Sequence, residues 1–375
     1  MNSKSNKIDW IQGLRGVAAL LVVLCHAREY LLQNPSFKEI SSVLIPGAMG
    51  VDLFFVISGF IMVYSTQGGS GVDYAKDFAI KRFSRIFPLY FIVSVLWILV
   101  VKRNPEFFFG IDNLIVFAKS IFFIPVSNAH PLFHAPVVSL GWTLNFEIYF
   151  YVVFGLSLLF GKFKTHVLMG WMALTLILVP ATFSEFSFAA NKNHGYTLTY
   201  LNLATNPIIF EFLAGFLIAK LYLKDSIVFP NITLAKSSVA ISFALVIWLN
   251  YSGYSSYGPM SWGAPIMLFV ACLAIASKTV EFKVPSSLVW LGKISFSLYL
   301  THYLTRAALD YMVLRTSYRA IMHGWGYVIF TSVVAVYVAA LFHLLIEIKL
   351  SNLVKNILER KLIGGKLQSM KPALS

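Results

Sequence analysis

Long apolar runs separated by short polar stretches dominate the sequence. Ten of them reach or approach the roughly 20 residues that an α-helix needs to cross a bilayer. They fall at residues 13–32, 45–64, 86–101, 144–160, 166–183, 207–223, 237–252, 259–276, 287–305 and 326–346. A further run, Leu114 to Ile124, carries Lys119 and stops at Pro125. At about eleven residues it suits a re-entrant or interfacial segment better than a crossing. No heptad array, internal repeat or low-complexity tract interrupts this pattern. It predicts an all-α, polytopic integral membrane protein with about ten transmembrane helices. Residues 1–348 are expected to form the transmembrane domain, and 349–375 a basic cytoplasmic tail able to lie on a lipid surface.

The polar positions set the expected orientation. If the Leu114 to Ile124 run does not cross, one side receives 21 of the 30 Lys and Arg, from Lys4 and Lys7 through Arg15 and Lys81 to Lys366 and Lys371. Excess Lys and Arg marks the cytoplasmic side, and a crossing at that run would put the basic tail outside. The expectation is therefore ten spans with both termini cytoplasmic.

Composition excludes the soluble alternatives. Of 375 residues, 58% are hydrophobic and only 12% charged, with a mean hydropathy of +0.74. Such a chain cannot cover a water-facing surface, so a soluble enzyme or nucleic-acid-binding domain is ruled out as the main body. The net charge of +14 then points to anionic lipid rather than nucleic acid. Cys25 and Cys272 lie in apolar runs without ligand spacing, so no disulfide framework and no metal site is expected. The polar N-terminus leads into an apolar run with no small-residue cleavage site, which argues against a removable signal peptide.

Titratable groups inside apolar spans are costly and mark functional sites by default. Here they are Arg15 and His26 in the first span, then Asp52, Glu147, Glu211, His302 and His343. Arg15 and His26 are eleven residues apart, close to three helical turns, and so share a face about 16 Å apart. The expected topology gathers His26, Asp52, Glu147 and His302 in the outer half of the membrane. It gathers Arg15, Lys81, Arg82 and Arg85 at the inner surface. A neutral His beside a carboxylate can take a proton from a hydroxyl, while Arg and Lys suit the phosphates of a soluble carrier. The two ends together suit group transfer between compartments.

Several residues also carry structural readings. Asp52 can cap its helix, and His302 can be a second acid/base, an acceptor-binding group or a satisfied bundle histidine. Glu211 reads as a supporting partner, and His343 and Glu347 as boundary residues. Lys81, Arg82 and Arg85 would satisfy the charge bias even without a ligand. Cys25 points about 100° away from His26, which argues against a Cys/His pair.

The motifs around these residues resemble those of the membrane-bound acyltransferase 3 family. Gln12-Gly-Leu-Arg15 through His26 is similar to its first-helix signature, and Gly50-Val-Asp-Leu-Phe-Phe-Val-Ile-Ser-Gly-Phe60 to its second-helix motif. Lys81-Arg-Phe-Ser-Arg-Ile-Phe-Pro-Leu-Tyr90, Gly141-Trp-Thr-Leu-Asn-Phe-Glu147 and Ile294-Ser-Phe-Ser-Leu-Tyr-Leu-Thr-His302 resemble its later blocks. The Trp142 to Glu147 block and Asn206-Pro-Ile-Ile-Phe-Glu-Phe-Leu-Ala-Gly215 look most like exopolysaccharide O-acetyltransferases of the ExoZ type.

The resemblance implies an O-acetyltransferase of the bacterial inner membrane that uses acetyl-CoA as co-substrate, with no bound cofactor. It would act on a surface polysaccharide or lipid-linked oligosaccharide. It implies catalytic roles for His26, Glu147 and His302, and donor binding by Arg15, Lys81, Arg82 and Arg85. Asp52, Asn145, Trp142 and Glu211 would support the site or bind acceptor. Without a fused hydrolase-like domain in this sequence, the spans and their outer loops are expected to handle the acceptor. Transfer of another acyl group such as succinyl, another acceptor, or transport of a sugar-lipid remain the alternatives.

Overall fold

The computed structural model describes residues 8–32, 35–67, 69–253, 256–316 and 323–362. Lys4, Lys7, Lys366 and Lys371 of the charge count, and residues 363–375 of the expected tail, lie outside the described residues. Among those described, regular structure is entirely helical. The helices that position the site are α1 (Asp9–Ala27), α2 (Gly50–Ser65), α3 (Val72–Leu96), α4 (Ile111–Ile121), α5 (Trp142–Ser157) and α6 (Lys164–Ala173). After them come α7 (Ile209–Tyr222), α8 (Ile232–Tyr251), α9 (Gly263–Ala276), α10 (Ser286–Lys293), α11 (Ser295–Val313), α12 (Trp325–Phe342) and α13 (Ser351–Leu362).

Six helical runs among the described residues are long and apolar enough to cross a bilayer: Asp9–Leu32, Ser36–Ser65, Val72–Val101, Ser139–Phe183, Ile232–Tyr251 and Trp325–Leu362. The difference from the expected ten has local causes. Ser139–Phe183 is 45 residues long and contains two of the expected spans, divided at Gly161, whose φ of 55° and ψ of −121° kink the chain. Helices α7 and α9 have 14 residues each, which gives each a length of about 21 Å. The 287–305 run divides at Ile294 into α10 and α11. The Leu114 to Ile124 run forms α4, an 11-residue helix with only Ser120 buried, too short to cross.

Helix α1 lies at the centre, against α2, α10, α11 and α12. Its small residues Gly13, Gly16, Ala18 and Ala19 are buried, so neighbouring backbones approach closely. Helices α2 and α7 make the most extensive pairing. There Gly59 faces the Phe212 carbonyl and Gly215 faces the Val56 carbonyl, and a Cβ at either glycine would collide with the facing backbone. The approach also brings buried Phe55 and Phe212 together, with ring centroids 4.5 Å apart and planes tilted by 32°. The Ser-Gly of the second-helix motif and the Ala-Gly of the Asn206 to Gly215 block are thus packing elements. They fix the neighbourhood of Asp52 and Glu211, one or two turns away.

Candidate active site

A cavity of about 790 Å³, counting its part open to solvent, lies between α1, α2, α3, α5 and α11. Arg15, Arg82, Arg85, Glu147, Ser58 and Tyr299 are among its lining residues. Arg82 and Arg85 project together because they are three residues apart on α3. Arg82 donates from Nη2 to Ser65 Oγ at 3.2 Å, and its guanidinium stands 5.3 Å from the Tyr151 ring centroid and 5.5 Å from that of Phe78. Glu147 Oε1 accepts from Ser58 Oγ at 3.1 Å and from the Tyr151 hydroxyl. Hydroxyl groups thus hold the carboxylate beside the arginines. Three guanidinium groups around one space, none in a direct ion pair with a carboxylate among the described residues, make a site for an anion.

Lys81 does not join them. It is exposed, lies outside the cavity lining and pairs with Asp77 at 2.6 Å. Glu147 also departs from expectation, since it sits among the arginines rather than beside His26. Residue 147 is one turn into α5, and that turn faces α2 and α3 at the depth of Ser58 and Arg82.

Beyond the cavity, His26 and His302 meet. His302 Nε2 is 3.4 Å from His26 Nδ1, with ring centroids 5.1 Å apart. The hydrogen-bond network assigns the protons. His302 Nδ1 lies 2.8 Å from the Tyr299 carbonyl and 3.1 Å from that of Leu298, so it is the protonated nitrogen and Nε2 is an acceptor. His26 Nδ1 lies 2.9 Å from the Val22 carbonyl, so its proton is shared between that oxygen and His302. The nitrogen left with a lone pair for chemistry is His26 Nε2. A histidine and a carbonyl, rather than the expected carboxylate, therefore orient His26. Cys25 turns away and donates to the Ile45 carbonyl at 3.6 Å.

Helices α1 and α11 run side by side in the same direction, with Arg15 and Ser295 at the cavity and His26 and His302 further along. The seven residues from Ser295 to His302 rise about 10 Å, and the eleven from Arg15 to His26 about 16 Å. Tyr299 stands between the two ends. It lines the cavity, its ring lies 6.2 Å from His302 and 6.0 Å from Phe54, and Thr143 Oγ1 donates to its hydroxyl oxygen at 3.1 Å.

The remaining expected site residues form a separate group. Asp52 and Glu211 are both fully buried, and their carboxyl groups face one another across the α2–α7 contact. Asp52 Oδ1 accepts from the Gly258 backbone N–H at 3.1 Å, while Oδ2 and both Glu211 oxygens have no other hydrogen-bond donor. Asp52 thus pins the loop before α9, and it also stands in the first turn of α2, where a carboxylate suits the helix dipole. Trp142 is buried among Phe55, Phe133 and Tyr257, and Asn145 is buried with neither side-chain polar atom bonded.

Two groups were not legible as site residues. Glu347 Oε2 accepts from Ser297 Oγ at 2.7 Å and lies 2.8 Å from His343 Nδ1, within electrostatic reach of Arg15 and Arg85. These boundary residues therefore form part of the cavity's charge balance. Their sequence signals are the place of His343 in an apolar run and the four-residue spacing between His343 and Glu347. The second group lies at the histidine end, where Arg306 donates to the His26 carbonyl and to Glu29. Arg306 also stands 4.0 Å from Asp310, which accepts from Tyr30 at 2.6 Å and from Tyr327 at 3.1 Å. This cluster ties the end of α1 to α11 and α12.

Residues 8–344 match the acyltransferase domain of the acyltransferase 3 family, and the chain belongs to that family. It is similar to the exopolysaccharide production protein ExoZ of Rhizobium meliloti, with 29% identity over 68% of this chain and 75% of the relative. It is also similar to the peptidoglycan O-acetyltransferase OatA of Listeria monocytogenes, with 28% identity over 78% of this chain. The latter match covers 48% of the relative, so the chain spans about half of that protein. No solved structure matches. The chain is thus a multi-pass membrane protein of an acyltransferase family.

Proposed function

We propose that the protein is an O-acetyltransferase that moves an acetyl group from cytoplasmic acetyl-CoA to hydroxyl groups of an extracytoplasmic polysaccharide or its lipid-linked precursor, in a bacterial inner membrane with both chain termini cytoplasmic. The observation that carries this reading is the His26–His302 pair one tyrosine ring beyond an arginine-lined cavity. Phosphates of the donor engage Arg15, Arg82 and Arg85, and the thioester end reaches past Tyr299 and Phe54. His26 Nε2 takes the proton of the acceptor hydroxyl as its oxygen attacks the acetyl carbonyl. The carbon–sulfur bond breaks, and the leaving thiolate receives the proton from the imidazolium. Glu147 holds the tyrosine and serine hydroxyls of the cavity wall. The names of the relatives and the positive bias of the expected inner side support this assignment.

The test is base-releasable acetate on surface polysaccharide purified from a null strain. The strain carries empty vector, the wild-type gene or His26→Ala at matched membrane levels. Acetate restored by wild type alone is expected. Equal acetate in all three would exclude polysaccharide acetylation in that strain, and release of succinate instead would change the acyl group.

A further inference from the structure

A second cavity lies where α2, α5 and α7 end and α6 begins. It holds about 630 Å³, counting its part open to solvent, and is lined by Thr66, Gln67, Ser157, Lys164, Thr165 and Lys220 among others. Two ammonium groups share this space. Lys164 Nζ donates to the Gly69 carbonyl at 2.6 Å, and Lys220 Nζ stands 5.8 Å from the Phe216 ring centroid. Neither pairs with a carboxylate among the described residues, and the two lie within electrostatic reach of each other. Like charges brought together without a counter-ion leave an anion requirement that the cavity can satisfy.

The two cavities follow one another along the same helices. On α2, Met62 lines the first and Val63 the second; on α5, Tyr151 lines the first and Phe154 the second. Three residues of helix advance about 4.5 Å. Arg82 of the first cavity donates to Ser65, whose neighbour Thr66 lines the second. An extended ligand with anionic groups at more than one point along its length matches this arrangement of cations.

We propose that the second cavity is a phosphate subsite for the 3′-phosphorylated nucleotide end of the acyl donor, with Lys164 and Lys220 as the groups that recognise it. The pyrophosphate then falls to the arginines, and the thioester arm points toward His26. This rests on coenzyme A as the donor carrier.

The test measures binding of coenzyme A and 3′-dephospho-coenzyme A to the purified full-length protein by titration calorimetry, for wild type, Lys164→Gln/Lys220→Gln and Lys220→Gln alone. Wild type should bind coenzyme A about tenfold more tightly than the dephospho form. The double variant should bind both equally, at the wild-type affinity for the dephospho form. Lys220→Gln leaves the Lys164–Gly69 bond intact and should lose several-fold of the preference even if the double variant folds poorly. Adenosine 3′,5′-bisphosphate should compete in wild type and not in the double variant. An undiminished preference in Lys220→Gln and the folded double variant, or no preference in wild type, overturns the subsite and leaves the donor reading standing. Failure of wild type to bind either molecule overturns the donor reading and the subsite with it.

Discussion

The Nδ1 proton of His26 is shared between the Val22 carbonyl and Nε2 of His302, so the two histidines are ordered as donor and acceptor. His302 acts through His26 in this arrangement. His26→Ala should lower transfer at least about 100-fold, the usual scale for a lost general base. His302→Ala should cost about tenfold, because the Val22 carbonyl still holds the tautomer, and His302→Gln should recover part of that loss because an amide oxygen can accept the same proton. Initial rates at saturating donor, with KM measured alongside, check this. Equal losses for His26→Ala and His302→Ala would give His302 a direct role.

Glu347 places a carboxylate within electrostatic reach of Arg15 and Arg85, where it competes with donor phosphates for the same positive field. Glu347→Gln keeps an acceptor for Ser297 and removes the charge. Donor KM should fall by up to about fivefold, with a steeper dependence on salt. Steady-state kinetics at two ionic strengths read both changes, and a raised KM with an unchanged salt slope would refute the counter-ion role.

The facing carboxyl groups of Asp52 and Glu211 need a hydrogen between them. Asp52→Asn supplies an amide donor and should leave thermal stability within about 1 kcal/mol of wild type, whereas Asp52→Ala strips partners from Glu211 and Gly258 and should cost about 1–3 kcal/mol. Thermal unfolding of the detergent-solubilised variants separates the two. Similar losses for both would point to a need for two carboxyl groups.

At the α2–α7 crossing, Gly59→Ala and Gly215→Ala each force a methyl group against backbone, which cannot move as a side-chain tip can. Each should cost about 3 kcal/mol or more by overpacking. The expected result is loss of folded protein in size-exclusion profiles after extraction, while Ser58→Ala, one residue away, runs as wild type.

Much of this site is legible in the chain because a bilayer makes polar groups conspicuous. Arg15, His26, Glu147 and His302 stand out against apolar neighbours, and the helical character follows from run length alone. Their grouping is less legible. Run length and charge bias assign depth only coarsely and azimuth not at all, so Glu147 and His26 share an expected depth, whereas Glu147 lies in the cavity with Arg15 and Arg82 and His26 about three helical turns further along α1. Lys81 illustrates the same limit, since it belongs to the motif of Arg82 and Arg85 and lies one turn from Arg85, yet its ammonium is exposed and pairs with Asp77 outside the cavity. The kink at Gly161 falls between two of the expected spans, whereas the division at Ile294 escaped the count because backbone angles, not hydropathy, define it. Arg306 escaped notice because it follows an apolar stretch and looks like a boundary charge.

The eight residues His343–Leu350 form π-helical turns between α12 and α13. Each such turn holds one residue more than an α-turn, so the segment works as a phase shifter, and everything after Phe342 is rotated relative to the face that precedes it. That rotation aims Glu347 at Ser297 and sets the azimuth at which α13 meets α3. The reading frame of the last helix therefore belongs to the chemistry of the cavity, and the removal of a single residue anywhere in this stretch would retune the arginines without touching one of them.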